Sequence, residues 1–187
     1  ERLMRKFVTL ATISAIAIFF AIILVGTIKS GGMQGRPGLN EISGEVALIT
    51  DKYLPIKGKD INGNIIENQD LGSEILVVDF WASWCPPCIQ EALTLSESSV
   101  KWKDKNVRFI GVALWDNEDS IKKFLVKNDV NYTIKLDKTG ESAIDYGVKA
   151  LPEKFFINKD GIIVKKYIGP IDKETLDKIL LEVIEGE

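Results

Sequence analysis

Apolar and polar positions follow one pattern near the start of the chain and another in the rest of it. Residues 7–28 run for 22 positions without a charge. A helix of that length rises about 33 Å and crosses the roughly 30 Å hydrocarbon layer of a bilayer. Arg2, Arg5 and Lys6 precede this run, and Lys29 alone follows closely. The pattern therefore predicts a transmembrane signal-anchor helix over 7–28, with the later residues outside the cytoplasm.

A cleaved signal peptide is the alternative for the same run. Its apolar region is usually about 7–15 residues long, shorter than this one, and residues 1–6 would be its basic start. With an anchor, residues 1–6 are instead a cytoplasmic N-terminus. Residues 29–39 hold four glycines and one proline and indicate a flexible linker. In both cases we expect residues 40–187 to form an exported domain.

Strand and helix patterns alternate through residues 40–187. The runs 75–80 and 107–114 have the continuous apolar character of buried parallel strands. The turn Asn62-Gly63-Asn64 before Ile65 indicates a hairpin near 53–67. A helix is predicted after residue 85, with apolar positions Ile89, Ala92, Leu93 and Val100, and another around Ile121, Phe124 and Leu125. A strand over 132–136, a helix over 141–146 and a hairpin of 154–158 with 162–168 follow. The last predicted helix is capped by Asp172 and carries Leu176, Ile179, Leu180 and Val183. This order predicts an α/β domain with parallel βαβ units, an antiparallel hairpin and a closing helix.

Composition excludes several kinds of chemistry. The net charge of −3 and the pI of about 5.2 argue against nucleic-acid binding, which needs a basic face. The chain has no histidine, so Ser-His-Asp catalysis and every histidine-containing metal site are excluded. Its two cysteines, Cys85 and Cys88, cannot fill a tetrahedral zinc site. The sequence predicts redox use of this pair, with no cofactor and no metal.

Cys85 and Cys88 enclose two prolines at the start of a predicted helix. A helix N-terminus favours a thiolate, so Cys85 is the expected exposed nucleophile. Cys88, one turn later, faces inward and resolves the mixed disulfide. The prolines remove two N–H donors, so we expect a Cys85 pKa nearer to about 7 than to the roughly 3.5 of the strongest oxidants. This favours a reducing role.

The run VVDFWASWCPPC closely resembles the active-site segment of thioredoxins. Together with the anchor and the later run YGVKALPEKFFINKDGIIVKKYIGPI, the chain is similar to the membrane-anchored thioredoxin-like reductases of cytochrome c maturation and their relatives. The resemblance covers about residues 45–187. It implies a thioredoxin fold, with a central mixed β-sheet flanked by helices, an N-terminal β-hairpin and a central insert at 115–137.

The same resemblance implies further catalytic positions. Pro152 matches the cis-proline that lies beside the cysteines and lets the preceding backbone pair with substrate. Glu91 matches an acid after the second cysteine, where its charge would raise thiol pKa values; as an alternative it is an exposed helix carboxylate. Asp79 matches the buried acid that accepts a proton when Cys88 attacks, or is a hydrogen-bonded core carboxylate. The lysine that accompanies this acid in thioredoxins has no counterpart in 107–114.

Substrate recognition is expected around the cysteines and the proline. Trp84, Pro86 and Leu151 are the predicted contact residues. Glu153 matches an acidic position of some of these reductases, or is a surface loop residue. The insert at 115–137 would add to the same surface.

These features predict an extracytoplasmic dithiol reductase of protein disulfides, such as those of apocytochrome c. The protein would be a membrane-anchored monomer that receives electrons from a separate transmembrane donor, because no other cysteine is present. A general oxidant or isomerase of secreted proteins is one alternative. A non-catalytic binding module in a membrane assembly is another.

Overall fold

The computed structural model describes residues 2–29, 38–40, 42–46, 55–66 and 74–186, which belong to two compact units, 1–38 and 39–187. Most of the predicted linker and both ends of the predicted 53–67 hairpin lie outside the described residues. In the first unit, Arg2–Lys29 forms one helix, α1. Its segment Met4–Val25 has a mean hydropathy of 2.7 and is long and apolar enough to cross a membrane. A signal sequence near an N-terminus can have the same length and composition.

The second unit is built on a six-stranded sheet. In chain order the strands are β1 (Gly38–Leu39), β2 (Gly44–Val46), β3 (Ile75–Trp81), β4 (Val107–Leu114), β5 (Thr133–Asp137), β6 (Ala150–Leu151), β7 (Glu153–Ile157) and β8 (Ile163–Ile168). Six of these eight strands form the sheet, in the order β2-β8-β7-β3-β4-β5. β3, β4 and β5 are parallel, while β2, β8 and β7 continue the sheet in antiparallel pairs. The predicted mixed sheet is confirmed, and β2 is an edge strand that the sequence did not indicate.

Four helices connect and close this sheet: α2 (Pro86–Lys101), α3 (Glu118–Lys127), α4 (Glu141–Asp145) and α5 (Lys173–Glu185). Local side chains fix where two of them begin. Asn117 accepts the Ser120 N–H at the start of α3, and the predicted cap Asp172 accepts the Thr175 N–H at the start of α5, satisfying donors that the helix leaves free. The predicted order of elements and the insert formed by α3 and β5 are confirmed.

Both faces of the central strand β3 are covered. On one face Phe80 packs against Tyr146 and Phe155, with ring centroids 5.2 and 5.7 Å away. On the other face Val77 shares a core with Leu95 of α2 and with α5. Because side chains alternate along a strand, Asp79 points to the same face as Val77, toward α2. The fold therefore buries a carboxylate beneath the helix that carries the cysteines.

Two details differ from the sequence prediction. The apolar positions chosen for α2 do not define its buried face: Ile89, Leu93 and Val100 are exposed, whereas Cys88, Glu91, Ala92 and Leu95 are buried. The reason is that Glu91 occupies a core position, and a prediction based on apolar residues alone does not place a carboxylate there. The predicted hairpin is reduced, within the described part, to one antiparallel bridge between Lys59 and Ile65.

Candidate active site

The two cysteines form a disulfide at the junction of β3 and α2. Their Cα atoms are 5.3 Å apart. Cys85 is the N-cap of α2, and prolines occupy the first helical positions. The Cys88 N–H donates to Cys85 Sγ, at 3.3 Å. The two prolines have no N–H to donate, whereas a helix without prolines would offer further donors at this end.

The disulfide is covered in this oxidised form. Cys85 is 0% exposed and Cys88 is 3% exposed. The expectation that Cys85 is exposed is therefore wrong for the disulfide state, although Cys88 faces inward as predicted. Pro86 is exposed and Trp84 is half-buried. A partner that approaches along α2 thus meets these two side chains before it meets sulfur.

The turn before Cys85 is held by the first residues of the insert. The Ser83 N–H donates to Asp116 Oδ2 at 2.6 Å, and Trp84 Nε1 donates to the Trp115 carbonyl at 3.2 Å. Trp115 has a φ of 46°, an uncommon conformation that turns the chain sharply after β4. Asp116 has a positioning role that local patterns do not predict, because the contact spans 33 residues.

The predicted cis-proline is confirmed, since the Leu151–Pro152 peptide bond is cis. Leu151 is fully buried, so its predicted contact with a substrate is not open in this structure. In this structure the Leu151 carbonyl accepts the Asn40 N–H at 2.6 Å. The Pro152 carbonyl accepts from Asn40 Nδ2 at 3.0 Å and from the Gly169 N–H at 2.9 Å.

Glu153 is not a surface loop residue, because it is 2% exposed. Its Oε1 accepts the N–H groups of Lys149 and Ala150 at 3.1 and 3.2 Å. Its Oε2 lies 2.7 Å from Lys166 Nζ. An effect of Glu153 on substrate would therefore act through the loop that precedes Pro152.

Three buried charged groups meet beneath α2. Lys154 Nζ lies 2.5 Å from Glu91 Oε1 and 3.8 Å from Asp79 Oδ1. Exposure is 2% for Asp79, 2% for Glu91 and 0% for Lys154. The interpretation of Glu91 as an exposed helix carboxylate is wrong. Instead, Glu91 shares the buried face of α2 with Cys88, one turn earlier.

Burial controls the titration of both carboxyls. It raises the pKa of Asp79 to about 6, with the Lys154 charge opposing the rise. It also raises the pKa of Glu91, to about 8, with Lys154 again opposing and Asp79 adding to the rise. The pair keeps a proton at a pH where exposed carboxyls have lost theirs.

Lys154 is the site residue that sequence reasoning missed. The lysine that accompanies this acid in thioredoxins has no counterpart in β4, where Gly111 is the partner of Asp79. The cation comes instead from β7, where Lys154 is the partner of Asp79. A signal was present, since a lysine begins the apolar run Lys154-Phe155-Phe156-Ile157. A charge in a strand with apolar neighbours on both faces indicates a buried partner.

The Cys85 pKa remains a prediction, and the geometry makes it testable. With the Cys88 N–H as the donor to Cys85 Sγ and two prolines beside it, we expect a value near about 7. Thiolate absorbance at 240 nm, followed during a pH titration of the reduced chain, measures it. The Cys85→Ser variant supplies the baseline. A midpoint below about 5 would contradict the expectation.

Within the described residues, no group of three or more histidine, cysteine or acidic side chains is arranged to hold a metal ion.

Comparison with known proteins places this site in a family. The family model described as AhpC/TSA matches residues 49–166. The chain is 32% identical over 124 residues to the thiol-disulfide oxidoreductase ResA of Bacillus thuringiensis, covering 66% of this chain and 72% of that protein. It is 38% identical over 112 residues to the thiol:disulfide interchange protein DsbE homolog of Paracoccus denitrificans, covering 59% and 60% of the two chains.

Solved structures agree with this assignment. A thiol:disulfide interchange protein DsbE from Chlorobium tepidum superposes with a TM-score of 0.67 at 28% identity, over 74% of this chain and 99% of that one. StoA from Bacillus subtilis superposes with a TM-score of 0.58 at 28% identity, over 66% and 93%. The chain therefore belongs to the AhpC/TSA family, as a thiol-disulfide oxidoreductase with the thioredoxin fold.

Proposed function

We propose that this protein is an extracytoplasmic dithiol reductase of protein disulfides, with those of apocytochrome c among its substrates. The observation that carries the direction of the reaction is the start of α2. Two prolines leave the Cys88 N–H as the donor to Cys85 Sγ, so the thiolate is weakly stabilised. A dithiol whose thiolate is weakly stabilised gives up electrons readily, because a stable reduced form is what makes a strong oxidant.

The roles follow from the positions of the residues. Cys85 attacks the substrate disulfide and Cys88 resolves the mixed disulfide. Asp79 and Glu91 handle the proton of Cys88, and Trp84, Pro86 and the backbone beside Pro152 contact the substrate. Glu153 supports the loop that carries Pro152.

The anchor sets the compartment of this chemistry. α1 is long and apolar enough to span a bilayer, and the basic residues before it favour a domain on the outer side. The sequence holds no cysteine besides this pair. Electrons must therefore reach the disulfide from a separate donor in the membrane, through exchange with Cys85.

The reduction potential tests the proposed direction. The full chain in detergent is equilibrated with dithiothreitol redox buffers, and free thiols are counted by the mass added on alkylation. We expect a potential close to the roughly −270 mV of a reductant. A value near −120 mV would show an oxidant instead. A Cys85→Ser/Cys88→Ser double variant is the control, and a wild type that behaved like it would indicate a binding module.

A further inference from the structure

The first residues of the second unit lie against the loop that carries Pro152. The Asn40 N–H donates to the Leu151 carbonyl at 2.6 Å, and Asn40 Nδ2 donates to the Pro152 carbonyl at 3.0 Å. We call this segment, described over residues 39–40 and 42–46, the strap. Its contact with Leu151 is a main-chain hydrogen bond of the kind that joins neighbouring strands. The strap therefore uses acceptors of the proline loop that another peptide chain could use.

We infer that Asn40 is a specificity-determining residue that competes with the substrate backbone for the carbonyl of Leu151. A polypeptide disulfide has main-chain N–H groups beside its sulfur atoms and can replace Asn40, whereas a small disulfide without a peptide backbone cannot. The inference rests on the thiol-disulfide chemistry proposed above. It adds that the tip of the strap leaves the proline loop before a polypeptide substrate pairs there.

The fold places the Leu151 carbonyl at the same end of the sheet as the cysteines. β3 ends just before the turn that leads to Cys85, and β7 begins at Glu153, opposite Phe80 of β3. Because β3 and β7 are antiparallel, the residues before β7 lie beside the residues after β3. Leu151 also belongs to the same hydrophobic cluster as Cys85 and Cys88. A peptide joined through sulfur to Cys85 therefore has its backbone near β6, where it can bind by strand addition.

The later part of the strap is held firmly. β2 pairs with β8 in antiparallel fashion, and Ser43 Oγ donates to the Pro170 carbonyl at 2.7 Å. A Cβ atom at Gly169 would lie 2.6 Å from the Ile42 carbonyl oxygen, so the close approach of the strap leaves no room for a side chain at that position. Strand pairing and close packing thus fix residues 42–46 to the turn after β8.

The tip of the strap, Leu39 and Asn40, is held less firmly. Leu39 is exposed, and the hydrogen bonds of Asn40 attach the tip to the proline loop. The net contribution of such bonds is modest, because water replaces them when they break. When the tip lifts, the Gly169 N–H still donates to the Pro152 carbonyl at 2.9 Å, whereas the Leu151 carbonyl needs a new donor. Lifting is therefore a local opening of low free energy, and a substrate N–H compensates for it.

Asn40→Pro tests the competition, because proline has neither a main-chain N–H nor a side-chain amide. The preceding Leu39 is extended in β1, which suits a residue before proline. The reduced full chain in detergent is mixed with a short peptide that contains an internal disulfide, or with hydroxyethyl disulfide, which has no peptide backbone. Samples are quenched with acid and analysed by mass. We expect the rate constant with the peptide to rise at least about threefold and that with the small disulfide to stay within about twofold of wild type.

Matched variants assign the effect to the hydrogen bonds of Asn40. Asn40→Ala keeps the main-chain N–H and loses the side-chain bond to the Pro152 carbonyl. Its rate constant with the peptide should therefore lie between those of wild type and Asn40→Pro. Ile42→Ala changes an exposed side chain of the same strap and should match wild type with both disulfides.

Hydrogen exchange of the Asn40 amide measures the displacement without a change in the strap. The Cys88→Ser chain in detergent carries either the peptide or mercaptoethanol on Cys85 as a stable mixed disulfide, and amide exchange is followed by NMR. We expect the Asn40 amide to exchange at least about tenfold faster with the peptide than with mercaptoethanol. The amides of β2 should exchange equally in both adducts. This measurement carries the test if Asn40→Pro does not fold.

Three outcomes would overturn the competition. The first is an Asn40→Pro chain that reacts with the peptide at the wild-type rate. The second is an equal rise with both disulfides, which would mean that the strap covers sulfur and not the backbone site. The third is an Asn40 amide that is equally protected in both adducts. A reduced wild type that reacts with neither disulfide would instead refute the thiol-disulfide chemistry itself.

Discussion

Replacing Cys85 by serine is expected to abolish exchange with disulfides, whereas replacing Cys88 by serine is expected to stop the reaction halfway. A hydroxyl is not ionised at neutral pH and does not attack sulfur, so Cys85→Ser should react no faster than the background. Cys88→Ser keeps the attacking thiolate but lacks the sulfur that resolves the mixed disulfide. The partner should therefore remain bound to Cys85 through a covalent bond.

Trapping in cells with the Cys88→Ser variant identifies the proteins that form a mixed disulfide with Cys85. Cys88→Ser is expressed in the native membrane, thiols are blocked with acid and alkylating agent, and adducts are separated by non-reducing electrophoresis and identified by mass. We expect apocytochrome c among the trapped proteins, and the adducts should disappear on reduction. The double variant Cys85→Ser/Cys88→Ser controls for noncovalent capture. Adducts dominated by unrelated secreted proteins would favour an oxidant or isomerase.

The burial of Cys85 affects the interpretation of both experiments. Its exposure is 0% in the disulfide form, so a reductant must displace the cover over the sulfur before it reacts. The contacts of Asn40 with Leu151 and Pro152 lie at the proline loop where a substrate backbone is expected. Slow reduction of the wild-type disulfide would therefore reflect access as well as potential, and the equilibrium measurement separates the two.

Local sequence was sufficient to predict the centre of this site. The Cys-x-x-Cys pair between a buried strand and a helix, and a proline before the closing hairpin, are short-range patterns with a direct physical meaning. Pro152 needed the family resemblance in addition, because few X-Pro bonds are cis. The alternation of strand and helix patterns likewise predicted the order of the elements along the chain.

The groups around the centre could not be predicted in the same way. Lys154 and Glu91 are 63 positions apart, and their pairing depends on which strand lies beside β3. Apolar patterning counts both as surface residues, so it misplaced the buried face of α2. β2 is three residues long and has too short a pattern to be recognised. In each case the deciding contact is tertiary and leaves little trace in the local sequence.

Lys154→Met is expected to cost about 3–5 kcal/mol of unfolding free energy at pH 7, because it leaves two buried carboxyls without their cation. Glu91→Gln/Lys154→Met, which removes the ion pair together, should cost less than Lys154→Met alone. The double variant leaves one buried carboxyl, Asp79, without its cation, whereas Lys154→Met leaves two. Denaturant unfolding of the full chain in detergent, with the disulfide intact and tryptophan fluorescence as the signal, measures both. Exposed Lys159→Met should lie within about 0.5 kcal/mol of wild type.

The pH dependence distinguishes lost charge compensation from lost packing. Burial raises the folded-state pKa of Asp79 from 3.8 to about 6, so the folded chain binds more protons than the unfolded chain in this interval. The Asp79 contribution to stability is therefore greatest at low pH and is lost as the pH rises through about 6. In Lys154→Met the folded-state pKa values rise further, so its deficit should be small at pH 5 and grow toward pH 8. A deficit independent of pH would mean that Lys154 contributes packing alone, since the loss of buried methylene contacts does not depend on protonation.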